Sequence, residues 1–411
     1  MADLILAFSF FCTFGLFTMA SLPVRTNMFA TSVRSLAALV NVLWISVTFT
    51  QISTAQEFEP LFNGKDLSGW VLVNTPADTW RVEDEMLICS GRPIGEMRTE
   101  KMYQNFEMEL EWRHMVPQGN AGIFVWADDI TARGVPFHRG IEVQVLENGY
   151  GNTRSHTTHG DIFPIHGAKM TPINGRGGDR AFPSEERSKP SPQWNHYRII
   201  CQDGSISLAV NGKEVTRGTK ATPSKGYICL ESEGGVVHYR NVRIKVLPDT
   251  PLDPAQVAIA YRGYRSIYSG LDLRGWKADN ADAWKTNDWV LEHQPTKTLM
   301  KSQLTFTESA TMKGFVVDFR LPEKSSGLTV QLPGFKEPVI LSAVGPEALS
   351  RSFVAAGNWN RLEGTLRHGE STTNLDLNLN GQTVTLTAAP LDQPLRLEAI
   401  GSVSLANIYI R

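Results

Sequence analysis

The chain has 411 residues, with 40 Lys and Arg against 42 Asp and Glu, a formal net charge of −2 and 42% hydrophobic residues. This near-neutral balance excludes the electrostatic attraction on which nucleic-acid binding depends, so we predict no nucleic-acid partner. The hydrophobic content, with 10 Trp and 19 Phe, excludes a largely disordered chain, and the length allows two or three domains.

The first 55 residues (1–55) are predicted to be a targeting segment. Residues 36–50 are apolar, a basic stretch precedes them, and small residues follow up to Ala55, which is the pattern of a secretory signal peptide. In this interpretation translation starts at Met28, and the mature chain is periplasmic, exposed at the cell surface or secreted. The alternative is a membrane hairpin or anchor that includes residues 4–24, and only then do we expect a membrane partner.

Three cysteines follow this segment, namely Cys89, Cys201 and Cys229, each in an apolar, strand-like run. Because an odd number leaves at least one thiol free, we predict buried, unreactive thiols. A Cys201–Cys229 disulfide is the alternative for an exported chain.

The sequence contains an internal repeat. Six segments of residues 61–245 recur in the same order in residues 267–411; for example, LFNGKDLSGW at Leu61–Trp70 returns as IYSGLDLRGW at Ile267–Trp276. Six ordered matches at nearly constant offsets indicate two homologous domains in tandem.

The domain boundaries and the fold class follow from this repeat. We predict domains at 56–248 and 263–411, joined by a Pro- and Asp-bearing linker at 249–262. Polar and apolar residues alternate in short runs such as 106–112, and Gly, Asn and Pro separate the runs. The pattern predicts an all-β protein made of two jelly-roll β-sandwich domains.

Two runs of the first domain suggest a binding face. In residues 120–126 and 141–146 the odd positions are mostly apolar, so they belong to the core. Period-two geometry then predicts a shared opposite face for Asn120, Phe124, Trp126, Glu142 and Gln144. Aromatic rings beside a carboxyl and amides suit a sugar, which offers apolar C–H faces and hydroxyls. The alternative is an ordinary solvated sheet face.

A long loop region is specific to the first domain. It has 67 residues between Trp126 and Trp194, against 27 between Gln331 and Trp359 in the second domain. Long irregular loops on a rigid sandwich are common places for sites. This region contains several histidines and a carboxylate, namely His138, His156, His159, His166 and Asp161.

The histidines of this loop region allow two interpretations. One is a divalent metal, or a general acid/base pair, held between His138 and His166. The other is that the imidazoles are hydrogen-bonding groups at the surface. In the second domain, Ile340 aligns with Glu142, so we expect that domain to be a degenerate copy and place any catalysis in the first.

Five short motifs of the first domain occur in a specific order. They are Leu61–Trp70, Asn120–Ile123, Gly140–Val145, Leu230–Gly235 and Tyr239–Lys245. Together they resemble the 3-keto-disaccharide hydrolase domain family, well over residues 57–247 and weakly over 263–411. The resemblance implies concanavalin A-like jelly rolls, export in bacteria, and activity on glycosides whose C3 hydroxyl is oxidised to a ketone. Glu231 stands where that family usually has Gln.

Such a substrate suggests a specific chemistry. A ketone at C3 acidifies the C2–H bond, so a base can remove that proton and expel the C1 substituent, with water added later; displacement by two carboxylates is the alternative. We predict Glu142 as catalytic base or acid and Asp161 as the second carboxylate. Predicted substrate-binding residues are Asn120, Trp126, Gln144, His159, Glu233 and Arg240, with Trp126 stacking on the sugar. The alternative role for Glu142 is an ion pair with an arginine such as Arg240.

The rival class of protein is a carbohydrate-binding or lectin-like module, because this sandwich supports binding as readily as catalysis. In both interpretations the partner is a disaccharide or another glycoside. A structural cell-surface protein is a third interpretation, which applies if the N-terminal segment is retained.

Overall fold

A computed structural model describes residues 57–150, 159–308, 311–342, 353 and 357–411 of the chain. The predicted signal peptide, residues 1–55, lies outside this range, as does His156 of the loop region. No helix within the described ranges has the length and hydropathy needed to cross a membrane.

The first half of the described chain forms two antiparallel sheets. In chain order its strands are β1 (Glu59–Pro60), β2 (Trp70–Val73), β3 (Trp80–Glu83), β4 (Met86–Cys89), β5 (Gly95–Thr99), β6 (Phe106–His114), β7 (Asn120–Ala127), β8 (Gly140–Leu146), β9 (Ile162–Ile165), β10 (Lys169–Pro172), β11 (Asn195–Gln202), β12 (Ser205–Val210), β13 (Lys213–Thr222), β14 (Tyr227–Ser232) and β15 (Val237–Val246). A nine-stranded sheet has the order β10-β13-β12-β11-β6-β15-β4-β3, with β1 beside β15. A six-stranded sheet has the order β2-β5-β14-β7-β8-β9.

The second half forms another pair of antiparallel sheets. Its strands are β16 (Arg265–Ser266), β17 (Trp276–Ala278), β18 (Trp284–Asn287), β19 (Val290–His293), β20 (Lys301–Phe306), β21 (Gly314–Arg320), β22 (Gly327–Gln331), β23 (Val339–Ser342), β24 (Trp359–His368), β25 (Thr373–Leu379), β26 (Gln382–Ala388), β27 (Arg396–Ile400) and β28 (Val403–Ile410). The sheet orders are β18-β19-β28-β21-β24-β25-β26, with β16 beside β28, and β17-β20-β27-β22-β23. Short 3₁₀ helices occupy Ala77–Thr79, Pro254–Gln256 and Ala281–Ala283.

Alternating side chains explain how each pair of sheets packs. Along β6, Phe106, Met108, Leu110 and Trp112 are buried while the glutamates between them are half-buried. These residues meet the inward side chains of the six-stranded sheet, such as Ile123, in one core. The predicted all-β class with two β-sandwiches is therefore confirmed.

The two sandwiches have the same strand order. The sequence β13-β12-β11-β6-β15-β4-β3 corresponds to β26-β25-β24-β21-β28-β19-β18, and β2-β5-β14-β7-β8 corresponds to β17-β20-β27-β22-β23. The common origin of the two halves, and the boundaries at residues 248 and 263, remain predictions.

The segment predicted as a linker, 249–262, packs on the first sandwich. The backbone N–H of Ala258 donates to the carbonyl of Lys225 at 2.8 Å. The Arg262 side chain donates to the buried Asp129 carboxylate at 2.8 Å. These contacts tie the segment to one sandwich instead of leaving it free in solvent.

A loop of the first sandwich, residues 128–139, docks on the second sandwich. Its Gly134 N–H donates to the Asp318 carboxylate at 2.8 Å. The same buried carboxylate accepts two hydrogen bonds from Arg361, at 2.7 and 2.8 Å, and one from Asn407 at 2.7 Å. Asp318 therefore joins the loop and the second sandwich through one charged network.

Replacing Asp318 with Ala should destabilise this contact strongly. The change leaves the Arg361 guanidinium, which is only 16% exposed, without its counter-charge. Leaving one partner of a buried ion pair alone costs about 3–5 kcal/mol, so urea unfolding should show a loss of this size. The matched control is Asp376→Ala, which breaks the exposed pair with Arg367 and should cost about 1 kcal/mol or less. Equal losses of unfolding free energy in the two variants would contradict a special contribution of the buried Asp318–Arg361 ion pair.

Candidate active site

Polar side chains gather on the outer face of the six-stranded sheet. Strand β7 lies between β8 and β14, and in this register Gly122 faces Gln144 while Ile123 faces Leu230. Residues of one parity therefore share this face: Asn120, Gly122, Glu142, Gln144 and Glu231. The structure thus brings together Asn120, Glu142 and Gln144, as their alternation predicts.

Gly122 leaves room for two carboxyl groups above the strand. A Cβ at this position would lie 2.8 Å from Oε2 of Glu231 and 2.9 Å from Oε1 of Glu142. Because such distances are too short for a real Cβ, any larger residue would displace one of the carboxyls. The carboxyls of Glu142 and Glu231 therefore both lie above Gly122, where no side chain separates them.

Burial shifts the protonation of both these carboxyls. The pKa of Glu142 is well above its ordinary value, first because burial disfavours the charged form and then because Glu233 and Asp161 add negative charge. Arg180 opposes this shift. The pKa of Glu231 is raised by burial in the same way. Glu142, which is 7% exposed, is therefore a carboxyl suited to carrying a proton.

Glu233 is the more accessible carboxyl of this face. Burial raises its pKa to about 7. The side-chain amide of Asn120 donates to Glu233, and the amide of Gln144 donates to Asn120 at 2.9 Å. This chain of hydrogen bonds fixes the orientation of a carboxylate whose pKa lies near neutral pH. In the protein without substrate, Asn120 and Gln144 therefore hold the Glu233 carboxylate in place through hydrogen bonds.

The predicted second carboxylate, Asp161, holds an arginine. Asp161 is fully buried, and Arg180 donates to it at 2.9 Å. The guanidinium of Arg180 lies 3.3 Å from the centroid of the Phe163 ring, and Phe163 is the strand partner of Glu142. Asp161 therefore helps to place a cation beside Glu142. The carboxyl that faces Glu142 across Gly122 is Glu231.

The prediction that Trp126 lies on this face is wrong. A β-bulge shifts the register between β7 and β14, and Trp126 itself has a φ of 56°. The bulge turns its ring into the sandwich core, where it is fully buried and its Nε1 donates to the Gln104 carbonyl at 2.9 Å. Phe124 keeps the predicted parity, but it is also fully buried and packs edge-to-face on Phe137. Neither ring therefore forms the expected aromatic platform on the open part of this face.

Arg240 also lies away from these carboxyls. It belongs to β15 of the nine-stranded sheet, where it donates to Glu111 at 3.0 and 3.2 Å. Its guanidinium stacks on the Trp194 ring at 4.0 Å. The ion pair with Glu142 considered from the sequence is therefore not formed. The role of Arg240 in substrate binding remains a prediction, and it does not belong to this face.

His159 faces another carboxylate. Its Nε2 lies 3.8 Å from the carboxylate of Glu186, and the side chain is almost fully buried. Burial lowers its pKa, so the neutral imidazole is favoured. Its role in substrate binding remains a prediction.

Only one histidine of the proposed metal-binding loop joins a group with ligand spacing in the described ranges. His138 lies with Glu96 and Cys229, and their ligand atoms are all within 4.8 Å of one another. His166 instead stacks on the Phe137 ring. The described cysteines Cys89, Cys201 and Cys229 are free and buried, as predicted.

A cavity of about 530 Å³ on the nine-stranded sheet offers different chemistry. Its lining includes Glu109, Glu111, His196, Asn241 and Arg243. Burial would raise the pKa of Glu111, but hydrogen bonds from Arg240 and Asn241 outweigh that effect and lower it. A carboxylate held ionised by an arginine is a poor acid or base at neutral pH, so we place the candidate site on the six-stranded sheet.

Stability should fall as pH rises through the titration of Glu233. Below its ordinary pKa of 4.5 both the folded and the unfolded states are protonated; between 4.5 and about 7 only the folded state keeps the proton. Each unit of pKa difference is worth about 1.4 kcal/mol, so this carboxyl should remove about 3 kcal/mol between pH 4.5 and 8. Urea unfolding of wild type and Glu233→Gln should show a smaller decline in the variant. Glu111→Gln is the control and should keep the wild-type slope; equal slopes in all three proteins would contradict the assignment.

Residues 57–245 match the family described as the 3-keto-alpha-glucoside-1,2-lyase-like domain. A protein of Bacteroides thetaiotaomicron named 3-keto-disaccharide hydrolase is 23% identical over 249 residues, which cover 47% of this chain and 79% of that protein. The resemblance drawn from the five motifs is thereby confirmed for the first domain. The relation of residues 263–411 to the same family remains a prediction.

Two solved structures show distant similarity. A glycosyl hydrolase candidate of Parabacteroides distasonis is 23% identical, with a TM-score of 0.37, over 47% of this chain and 95% of that one. A carbohydrate-binding module of Bacillus subtilis is 12% identical, with a TM-score of 0.31, over 44% of this chain and 96% of that one.

Proposed function

Since residues 57–245 match the 3-keto-alpha-glucoside-1,2-lyase-like domain, we propose that this protein cleaves glycosides whose C3 hydroxyl has been oxidised to a ketone. The observation that carries the proposal is the presence of Glu142 and Glu233 on one sheet face, close enough that the charge of Glu233 raises the pKa of Glu142. One of these carboxyls favours its proton, and the other has a pKa of about 7. A 3-keto glycoside needs such an acid and base, because the ketone already acidifies its C2–H bond.

In the first step Glu233 acts as the base. Its carboxylate takes the proton from C2, and the C–H electron pair forms a double bond between C1 and C2. The C1–O bond breaks, and its electron pair leaves with the departing oxygen, which takes the proton of Glu142. The products are an alcohol or sugar and a 3-keto sugar with a C1–C2 double bond.

In the second step the same residues reverse their roles. The Glu142 carboxylate takes a proton from water as that water attacks C1. Glu233, which is half-buried, exchanges the proton it took with solvent and then protonates C2, so both carboxyls end in their starting states. The sum of the two steps is hydrolysis of the glycosidic bond.

Arg180 supports the negative charge that develops on the C3 oxygen. Its guanidinium is fixed by the ion pair with Asp161 and by the Phe163 ring. A cation that is held in place before the reaction stabilises developing charge without reorganisation. Asp161 is therefore a positioning residue in this mechanism.

The test compares two substrates with the purified full chain. A 3-keto disaccharide should release sugar, while the unoxidised parent disaccharide should give no product, because its C2–H bond is not acidic. Calorimetric binding of both sugars without release of either would overturn the proposal and support a carbohydrate-binding module.

We also propose that the protein is exported. The support is the sequence alone, in which the apolar stretch 36–50 is followed by small residues up to Ala55. Mass spectrometry of the protein isolated from its native cells should place the mature N-terminus directly after Ala55. A retained apolar segment would contradict export by cleavage.

A further inference from the structure

A buried cluster of three ligand-type side chains lies under the loop 128–139. It consists of Glu96 on β5, His138 and Cys229 on β14, each fully buried. Nδ1 of His138 contacts the Glu96 carboxyl and lies 3.7 Å from Sγ of Cys229. All three ligand atoms lie within 4.8 Å of one another.

The sheet and the loop both fix this geometry. Glu96 pairs with Glu231 across β5 and β14, and Cys229 is two residues before that position. Glu96 and Cys229 therefore project from the same face of neighbouring strands. His138 closes the loop through a bridge to Thr131 and lies two residues before the start of β8.

One buried polar atom of the cluster, Oε1 of Glu96, lacks a hydrogen-bond partner among the described residues. Leaving a buried polar atom without a partner is costly. A bound metal ion would satisfy the free oxygen of Glu96, and an imidazole is a common metal ligand.

Other cations near the cluster have other partners. The guanidinium of Arg98 donates to the carbonyls of Asp129 and Thr99 and lies over the Tyr227 ring. Arg262 is paired with the Asp129 carboxylate. Cys229 also packs in a cluster of buried apolar side chains that includes Phe124.

We propose that Glu96, His138 and Cys229 bind one zinc ion. A thiolate, an imidazole and a carboxylate are all ordinary zinc ligands. Binding breaks the Cys229 S–H bond, releases that proton to solvent and forms the Zn–S bond. The proton between Nδ1 of His138 and Glu96 moves to Nε2, so that Nδ1 can bind the metal and the imidazole stays neutral. The charges of Zn²⁺, one thiolate and one carboxylate then sum to zero, which suits a site with no solvent contact.

The unpartnered oxygen of Glu96 completes the coordination. If the carboxylate binds through both oxygens, the ion has four ligand atoms, as structural zinc sites have. Such an ion would fasten the loop 128–139 to the six-stranded sheet. Because the same loop contacts Asp318 of the second sandwich, the ion would stabilise both contacts. None of the three ligands has a role in the proposed reaction.

The test uses the full chain after treatment with a chelator. Zinc should bind with a stoichiometry of one and raise the midpoint of thermal unfolding, because metal that binds the folded state stabilises it. Co²⁺ in place of zinc should give a sulfur-to-metal charge-transfer band in the near ultraviolet. The absence of stoichiometric zinc binding, or of that band in the wild-type chain, would overturn the proposal.

Cysteine variants then identify the ligand. Cys229→Ala should abolish the charge-transfer band, whereas Cys201→Ala should keep it, since Cys201 is an equally buried thiol in the nine-stranded sheet. Cys229→Ser provides a second variant in case the alanine protein does not fold. A band that persists without the Cys229 thiol would also overturn the proposal.

Discussion

Glu142→Gln is expected to lower kcat for a 3-keto disaccharide by about 10²–10⁴-fold, the usual contribution of a general acid. Gln has nearly the same shape but no proton to give to the departing oxygen. Because Glu142 is buried and favours its neutral form, a neutral amide should leave the fold intact. Steady-state kinetics of the wild type and the variant measure the effect.

The leaving group makes the test of Glu142 specific. A 3-keto glucoside with a nitrophenol leaving group needs little protonation, so Glu142→Gln should lose much less activity on it than on the disaccharide. The control variant, Glu111→Gln, removes a carboxylate from the other sheet and should keep wild-type activity on both. Equal losses of the Glu142 variant on the two substrates would contradict its role as the acid.

Glu233→Gln is expected to reduce cleavage by a similar factor, but on both substrates equally. This variant lacks the base that removes the C2 proton, and every leaving group requires that step. The hydrogen bond from Asn120 can still be accepted by the new amide oxygen, so the local structure should persist. The nitrophenyl and disaccharide substrates together distinguish this pattern from that of Glu142→Gln.

The pH profile gives an independent readout of the base. A base must be deprotonated to act, so wild-type kcat/KM should rise with pH through about 7, the pKa of Glu233. At higher pH it should fall as Glu142 loses its proton. Residual activity of Glu233→Gln should lack the rise near pH 7; a variant that keeps this rise would rule out Glu233 as the titrating base.

Local patterns were enough to predict much of the fold. Alternation in 106–112 identifies β6, and the Asn211-Gly212 pair marks the hairpin between β12 and β13. Both turn residues have a positive φ, 49° and 87°, as that turn requires. The sequence repeat also agrees with the equal strand orders of the two sandwiches. These features depend on neighbours within a few residues, which a single sequence records.

Residues of the site were predictable only where the alternation was regular. Asn120, Glu142 and Gln144 share a face because β7 and β8 keep period two up to the bulge. Trp126 departs from that rule through a register shift against β14, and nothing in its own strand signals the shift. The partner of a strand cannot be read from one sequence, so Glu231 was not assigned to the site.

Distant residues form the remaining features. Glu96, His138 and Cys229 lie far apart in the chain, and only the order of β5 and β14 with the return of the loop brings them together. The docking of residues 128–139 on Asp318 is similar, because no motif in the loop marks a carboxylate of the other sandwich as its partner.

Cleavage of a 3-keto disaccharide in D₂O tests the central account most directly. If Glu233 removes the C2 proton, exchanges it with solvent and then protonates C2, the released 3-keto sugar should carry one deuterium at C2, observed by NMR. The free 3-keto sugar, incubated without protein for the same time, corrects for spontaneous exchange. Sugar release with no deuterium above that control would contradict elimination, and absence of release would contradict the proposed activity itself.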